Sequence, residues 1–154
     1  MKRIMFAVIA VMAAQAFGIS HGHASDGMIV KPSDASMQRT LERLTTAIES
    51  RGAKVALTVD HAAAAKANGL ELRPTTLVLF GNPKLGTPLM QQVQATGLDL
   101  PLRVLVWQDG DGKVHLGYWA PPAVGAMHGL PADNPVLAKM AGALDGIVRE
   151  AAGS

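Results

Sequence analysis

The chain has 154 residues, 14 Lys+Arg against 12 Asp+Glu, and no cysteine. That length fits a single domain. The absent thiol excludes a disulfide framework, a lipidated N-terminal cysteine, a cysteine nucleophile and a haem attached through Cys-x-x-Cys-His.

The first segment reads as a targeting signal. Lys2 and Arg3 precede residues 4–17, which are apolar apart from Gln15. The stretch is too short for a stable transmembrane helix. Gly22-His23-Ala24 supplies small residues at the −3 and −1 positions. This predicts a Sec-type secretory signal peptide over residues 1–24, cleaved after Ala24, with Ala14-Gln15-Ala16 as the alternative site. The mature protein, residues 25–154, is then expected in the periplasm or secreted. Losing Lys2 and Arg3 from the 14 Lys+Arg leaves 12 cations against 12 anions, so the mature chain is formally neutral. No Lys/Arg run remains that could neutralise a series of phosphates, which argues against a nucleic-acid partner. No second hydrophobic span follows, so no membrane association is expected after cleavage. A mature chain of about 130 residues without disulfides is large enough to rest on its own core.

Within residues 25–154 the elements follow in order. Met28-Ile29-Val30 is a short apolar strand. The cluster Ser33-Asp34-Ala35-Ser36 offers a helix cap, Met37, Leu41, Leu44 and Ile48 recur at helical spacing, and Gly52 stops the helix. Val55, Leu57 and Val59 alternate as in a half-buried strand. Asp60 caps a short alanine-rich helix over residues 61–67, ended by Asn68-Gly69. Residues 75–80 are β-branched and apolar and read as a central strand. Thr87 as N-cap and Pro88 at the first helical position predict a helix that Gly97 ends. Residues 102–108 and 113–119 flank Asp109-Gly110-Asp111-Gly112 as a β-hairpin. A one-residue slip would exchange its faces, so either Val106 or Trp107 can point to the core. Residues 123–128 form one helical turn. Asn134-Pro135 opens a last helix with Val136, Leu137, Met140, Ala141, Leu144, Ile147 and Val148 on one apolar stripe. The stripes of the first and last helices suit either one-sided packing or a dimer. A hairpin after alternating strands and helices argues for an α+β fold: two layers, with helices on one face of a mostly antiparallel sheet.

Four segments carry a family resemblance. They are Asp60-His61-Ala62-Ala63-Ala64-Ala65, Gly69-Leu70-Glu71-Leu72-Arg73-Pro74-Thr75, residues 80–90 (Phe80-Gly81-Asn82-Pro83-Lys84-Leu85-Gly86-Thr87-Pro88-Leu89-Met90) and Leu98-Asp99-Leu100-Pro101-Leu102. In order and spacing they resemble the domain of unknown function 302 (DUF302) family, from about Gly27 to the C-terminus. The resemblance implies a compact α+β domain, often exported or joined to other modules in bacterial proteins, with no established reaction. Where that family often has Arg-His after the last strand, this chain has Met127-His128. The histidine is kept and the neighbouring cation is not, which weakens an anion clamp built on both.

The candidate chemistry is sparse. Gly81 and Gly86 are spaced like a phosphate loop, but Thr87-Pro88 follow where Lys and Ser/Thr are required, which rejects nucleotide hydrolysis. Lys84, Gly86 and Thr87, with Asn82 beside them, could still hold a carboxylate or phosphate at a strand-to-helix joint. His61 opens a short helix and His128 precedes Gly129. The two could converge with Asp60 or Glu71 as an acid/base or metal-like set, although no His-x-x-x-His enforces it. Arg73 could pair with Glu71 or Asp99, or hold an anion. His115 reads as a sheet-surface residue, and Met37, Met90 and Met140 read as core. Gly-x-Ser-x-Gly is absent, and no catalytic residues are assigned. The expectation is an exported ligand-binding or protein-interaction module without a cofactor or metal. Its partner would be a small molecule or a protein, with a homodimer among the options. The alternative is an enzyme or metal/anion site around His61, Arg73, Lys84 and His128.

Overall fold

The structure is a computed structural model that describes residues 27–154. The targeting segment lies outside the described residues. Five strands form one antiparallel sheet in the order β1-β5-β4-β3-β2. They are β1 (Met28–Pro32), β2 (Lys54–Asp60), β3 (Thr75–Gly81), β4 (Leu102–Gln108) and β5 (Val114–Trp119). The helices are α1 (Met37–Ser50), α2 (His61–Ala67), α3 (Pro83–Gln92), α4 (Pro121–Met127) and α5 (Pro135–Ala152). A 3-10 segment, Gln94–Asp99, links α3 to β4. The fold is α+β, as the element order predicts.

Helix caps follow the sequence. Ser36 accepts from the Arg39 N–H, Asp60 from the Ala63 N–H, and Asn134 from the Val136 and Leu137 N–H groups. Each supplies a side-chain oxygen to N–H groups that have no partner within the helix. One helix start differs from the expectation. α3 begins at Pro83, not Pro88. Asn82 is its N-cap, accepting from the Lys84 N–H at 2.9 Å, and Pro88 falls inside the helix. Gly97 does not end it either; α3 stops at Gln92 and Val93 is its C-cap. β3 is an interior strand, paired with β2 on one side and β4 on the other, as its apolar run predicts.

The hairpin register settles the faces. Val106 pairs with Leu116 and Trp107 with His115. Directly paired residues share a face. Val104, Val106 and Leu116 are fully buried with Val78, Phe80 and Tyr118 under Leu44 and Ile48 of α1 and Leu144, Ile147 and Val148 of α5. The stripes of α1 and α5 are therefore spent on this core, so they are not a dimer surface.

The opposite face carries Thr75, Trp107 and His115 in one row. Val59, Leu77, Leu105, Gly117 and Val30 form the next; Leu57, Leu79 and Arg103 form the last on one side of the sheet, and Trp119 with Met28 continues the face beyond Gly117 on the other. In β2 the register shifts between Val55 and Leu57, which brings Leu57 opposite Leu79. Trp107 lies flat across β5: a Cβ on Gly117 would stand 2.8 Å from its ring. The same ring stacks on His115, centroids 5.4 Å apart.

Candidate functional site

A concave apolar surface lies where the sheet and the helix layer part company, at the end of the core near the start of β2. It is a cleft of about 790 Å³ between the α3–Gln94–Asp99 segment on one side and α5 on the other, floored by Phe80 and Leu102. Leu85, Met90, Leu100 and Met140 form its apolar walls, and Arg51, Lys54 and Thr87 bring polar groups to it. The Arg51 guanidinium is already engaged, 2.7 Å from Glu150 and 3.0 Å from the Ala47 carbonyl. Lys54 is exposed at the first position of β2.

The sequence builds this cleft through its Gly-Asn-Pro joint. β3 ends at Gly81, and Asn82 caps α3 with its oxygen while its amide donates to the Gly52 carbonyl at 3.2 Å. One side chain thus fixes α3 against the α1–β2 connection. The opposite wall is tied on by Asn134, whose amide donates to Gln92 Oε1 at 2.6 Å and so joins the start of α5 to the end of α3.

A polar cluster lies at the same end of the sheet, beside β4. His128 Nε2 is 2.6 Å from Asp99 Oδ2, and Arg103 Nη2 donates to Asp99 Oδ1 at 3.2 Å and to the Leu98 carbonyl at 3.4 Å. The His128 side chain is mostly buried and Asp99 half-buried. Such a carboxylate orients an imidazole and balances it when it is protonated. A second pair sits at the hairpin end, where His115 Nε2 is 2.7 Å from Asp109 Oδ2. Asp109 is held below the ordinary carboxylate range, first by that bond and then by the Lys113 N–H. Among the described residues no group of three or more His, Cys, Asp or Glu is arranged to hold a metal ion.

The sequence candidates fall into two groups. Asn82 and Thr87 line the cleft, and Lys84 stands exposed on the first turn of α3. His128 lies in the nearby polar cluster. His61 and Arg73 are at the other end: Asp60, just before His61, pairs with Thr76, and Arg73 Nε donates to the Gln108 carbonyl at 3.3 Å. The span from Thr76 to the cleft end at Phe80 is about 13 Å of strand. One pocket lined by His61, Arg73, Lys84 and His128 is therefore not formed. Arg73 pairs with neither Glu71 nor Asp99. The partner of Asp99 is Arg103, and the partner of His128 is Asp99. Neither pairing was singled out from the sequence: the segment from Asp99 to Arg103 is not helical, so its four-residue spacing carries no pairing signal, and Asp99 and His128 are 29 positions apart. Lys54 and Arg51 were missed as well.

These features define a two-layer α+β domain with an apolar cleft at one end of an antiparallel sheet. The model of the family "Domain of unknown function DUF302" matches residues 29–147, and the chain belongs to that family. A crystal structure of an uncharacterised conserved DUF302 protein from Bacillus stearothermophilus is similar to it. The TM-score is 0.76 at 20% identity, over 81% of this chain and 98% of that one, a likeness of fold. Two proteins named fluoride-specific ion channel FluC 1, from Brucella suis biovar 1 and Brucella abortus biovar 1, are each 39% identical over 142 residues. The match covers 85% of this chain and 56% and 53% of theirs, so the chain spans about half the length of the curated relatives it matches. No helix among the described residues is long and apolar enough to cross a membrane.

Proposed function

We propose that this domain is a ligand-binding module. Its cleft between α3 and α5 takes a small, mainly apolar molecule bearing one anionic group. The observation that carries the reading is the composition of the cleft: about 790 Å³, apolar walls, and a few polar groups at the opening. That size and balance are those of small-molecule sites. Lys54 is the cation available to an anionic end, since Arg51 is held by Glu150.

The test is thermal shift with decanoate, decanol and acetate, because a ligand that binds only the native state raises apparent stability. Decanoate should raise Tm most, decanol less and acetate not at all. Lys54→Ala should erase the advantage of decanoate over decanol. Ala143→Trp, which fills the cleft from α5, should abolish both shifts. No shift with either long-chain compound at millimolar concentration would sink the reading.

The Brucella relatives favour a second role, as an interaction module beside a fluoride channel. Deleting the matched half of such a relative and measuring fluoride efflux tests it; unchanged efflux would count against it. We also propose that the chain is exported, on the strength of Lys2 and Arg3, the apolar residues 4–17 and Gly22-His23-Ala24. The intact mass of periplasmic material should then begin at Ser25, and a mass including residues 17–24 would move the cleavage to Ala16.

A further inference from the structure

Among the described residues no layer packs over the second face of the sheet. Leu57 is 54% exposed and Trp119 45% exposed there, and Leu77, Leu79, Leu105 and Trp107 are only half-buried. At the rim, beside the Asp99–Arg103 pair, Leu98 and Met127 are 82% and 76% exposed. An apolar sheet face is stable in water when another layer covers it, and a contiguous apolar patch of several hundred Å² marks an interaction surface.

We propose that this face is the interface of a homodimer, in which two copies stack sheet on sheet about a two-fold axis. The size of the face fits that occupant. Five strands about 4.8 Å apart, with roughly six residues rising about 3.3 Å each, give a footprint of about 24 by 20 Å. Side-chain relief and the rim residues Leu98 and Met127 raise the accessible area above that footprint. The result approaches the roughly 800 Å² per partner of a standard interface and stays below that of an obligate dimer. A reversible dimer is therefore expected.

The charges favour a second copy too. Arg103 is the one charged side chain inside the three rows that cross the face, and Asp99 already neutralises it. His115 is held by Asp109. Lys54 stands at a corner and can remain in water. Two identical faces can therefore meet without burying an unbalanced charge, which a pair of like surfaces must otherwise accommodate. A lipid surface would be met by a cluster of free cations instead, and the rows offer one cation, already paired. Flat apolar sheets stack at about 10 Å with their side chains interdigitating, and the ring of Trp107 lying along β5 keeps this face shallow enough to do so.

The experiment is sedimentation velocity on the protein purified after expression of the full-length chain, from low micromolar to millimolar concentration, with tryptophan emission followed in parallel. Both tryptophans of the chain, Trp107 and Trp119, lie on this face. The expected result is a monomer–dimer equilibrium whose dissociation shifts tryptophan emission to the red. Leu105→Glu, in the middle row on the central strand β4, should raise the dissociation constant by roughly 30-fold or more, as for a central interface position. Leu98→Glu, at the exposed rim, should raise it less and provides a variant with little folding risk. Unchanged far-UV circular dichroism keeps both variants interpretable. A monomer at every concentration would overturn the proposal, as would a dimer indifferent to both substitutions. A monomer that binds phosphatidylcholine vesicles would overturn it in favour of a lipid surface.

Discussion

Within β3, Leu77 and Leu79 point to one side of the sheet and Val78 and Phe80 to the other. All four are apolar, so the strand reads like one buried on both faces. Val78 and Phe80 are sealed under α1 and α5, at 2% and 1% exposure. Leu77 and Leu79 keep contact with solvent. The comparison teaches that hydrophobicity along a strand counts the layers a sheet can take, while the helices in the same chain decide how many it has alone. The described residues supply one helix layer, and the other face is the one we propose a second copy covers.

Adjacent residues make the sharpest break of that comparison. Phe80→Ala removes a fully buried ring from the core and should destabilise the protein by about 3–5 kcal/mol. Leu79→Ala, one residue away, removes a side chain that water already reaches. In dilute solution, where association is suppressed, it should cost under about 1 kcal/mol, because half-exposed positions lose little transfer energy and leave no cavity. Urea unfolding of both variants checks the contrast; equal losses would mean that the second face is covered within a single copy.

Gly117→Val probes the second face at the next level of effect. The Trp107 ring occupies the space that a side chain on Gly117 would take. The valine must push the ring away, at about 1–3 kcal/mol for an overpacked site. It also breaks the stacking of Trp107 on His115. The readouts are a lower urea midpoint and an altered near-UV tryptophan signal. A variant with native stability and an unchanged signal would show that the ring is free to lie elsewhere.

Much of the inner face was legible in the sequence. Helical spacing marked Leu44, Ile48, Leu144, Ile147 and Val148, and Ser36, Asp60 and Asn134 announced their helices because each sits at a break in the hydrophobic pattern. The Asp/Gly turn gave the hairpin, and the register left open by its loop is set by the burial of Val106 and Leu116. The start of α3 was misread because Asn82-Pro83 and Thr87-Pro88 carry the same local cap-then-proline signal. The earlier one prevails through a long-range contact, the amide of Asn82 on the Gly52 carbonyl. Pro88 is then accommodated inside α3 without an N–H to offer the Lys84 carbonyl. The candidate site was less legible still. Asp99 and His128 are 29 positions apart, and only the fold brings them to 2.6 Å. Lys54 reads as an ordinary strand-start lysine until the cleft forms beside it.

The smallest expected effect lies at the edge of the covered face. Lys31 of β1 reaches Asp145 of α5 at 2.8 Å, and Arg149 approaches the same carboxylate. The hydrogen bond from Lys31, and after it that from Arg149, hold Asp145 below its ordinary value of 3.8. Burial, with the Asp145 charge next, pushes the nearby Tyr118 hydroxyl up. A carboxyl whose folded value is depressed binds fewer protons in the native state than in the unfolded one, so stability rises with pH through that window. The contribution of Asp145 is fully present above about pH 4 and is lost as pH falls through the depressed folded value. Asp145→Asn should therefore be slightly less stable than the parent near neutral pH, and the gap should close on acidification. Because the pair is half-exposed, salt should narrow the gap as well. Urea midpoints across the acid range, at low and high salt, make the measurement. A gap that persists unchanged below the window would assign the role of Asp145 to packing, and the covered face would then be held to its edge strand by apolar contact alone.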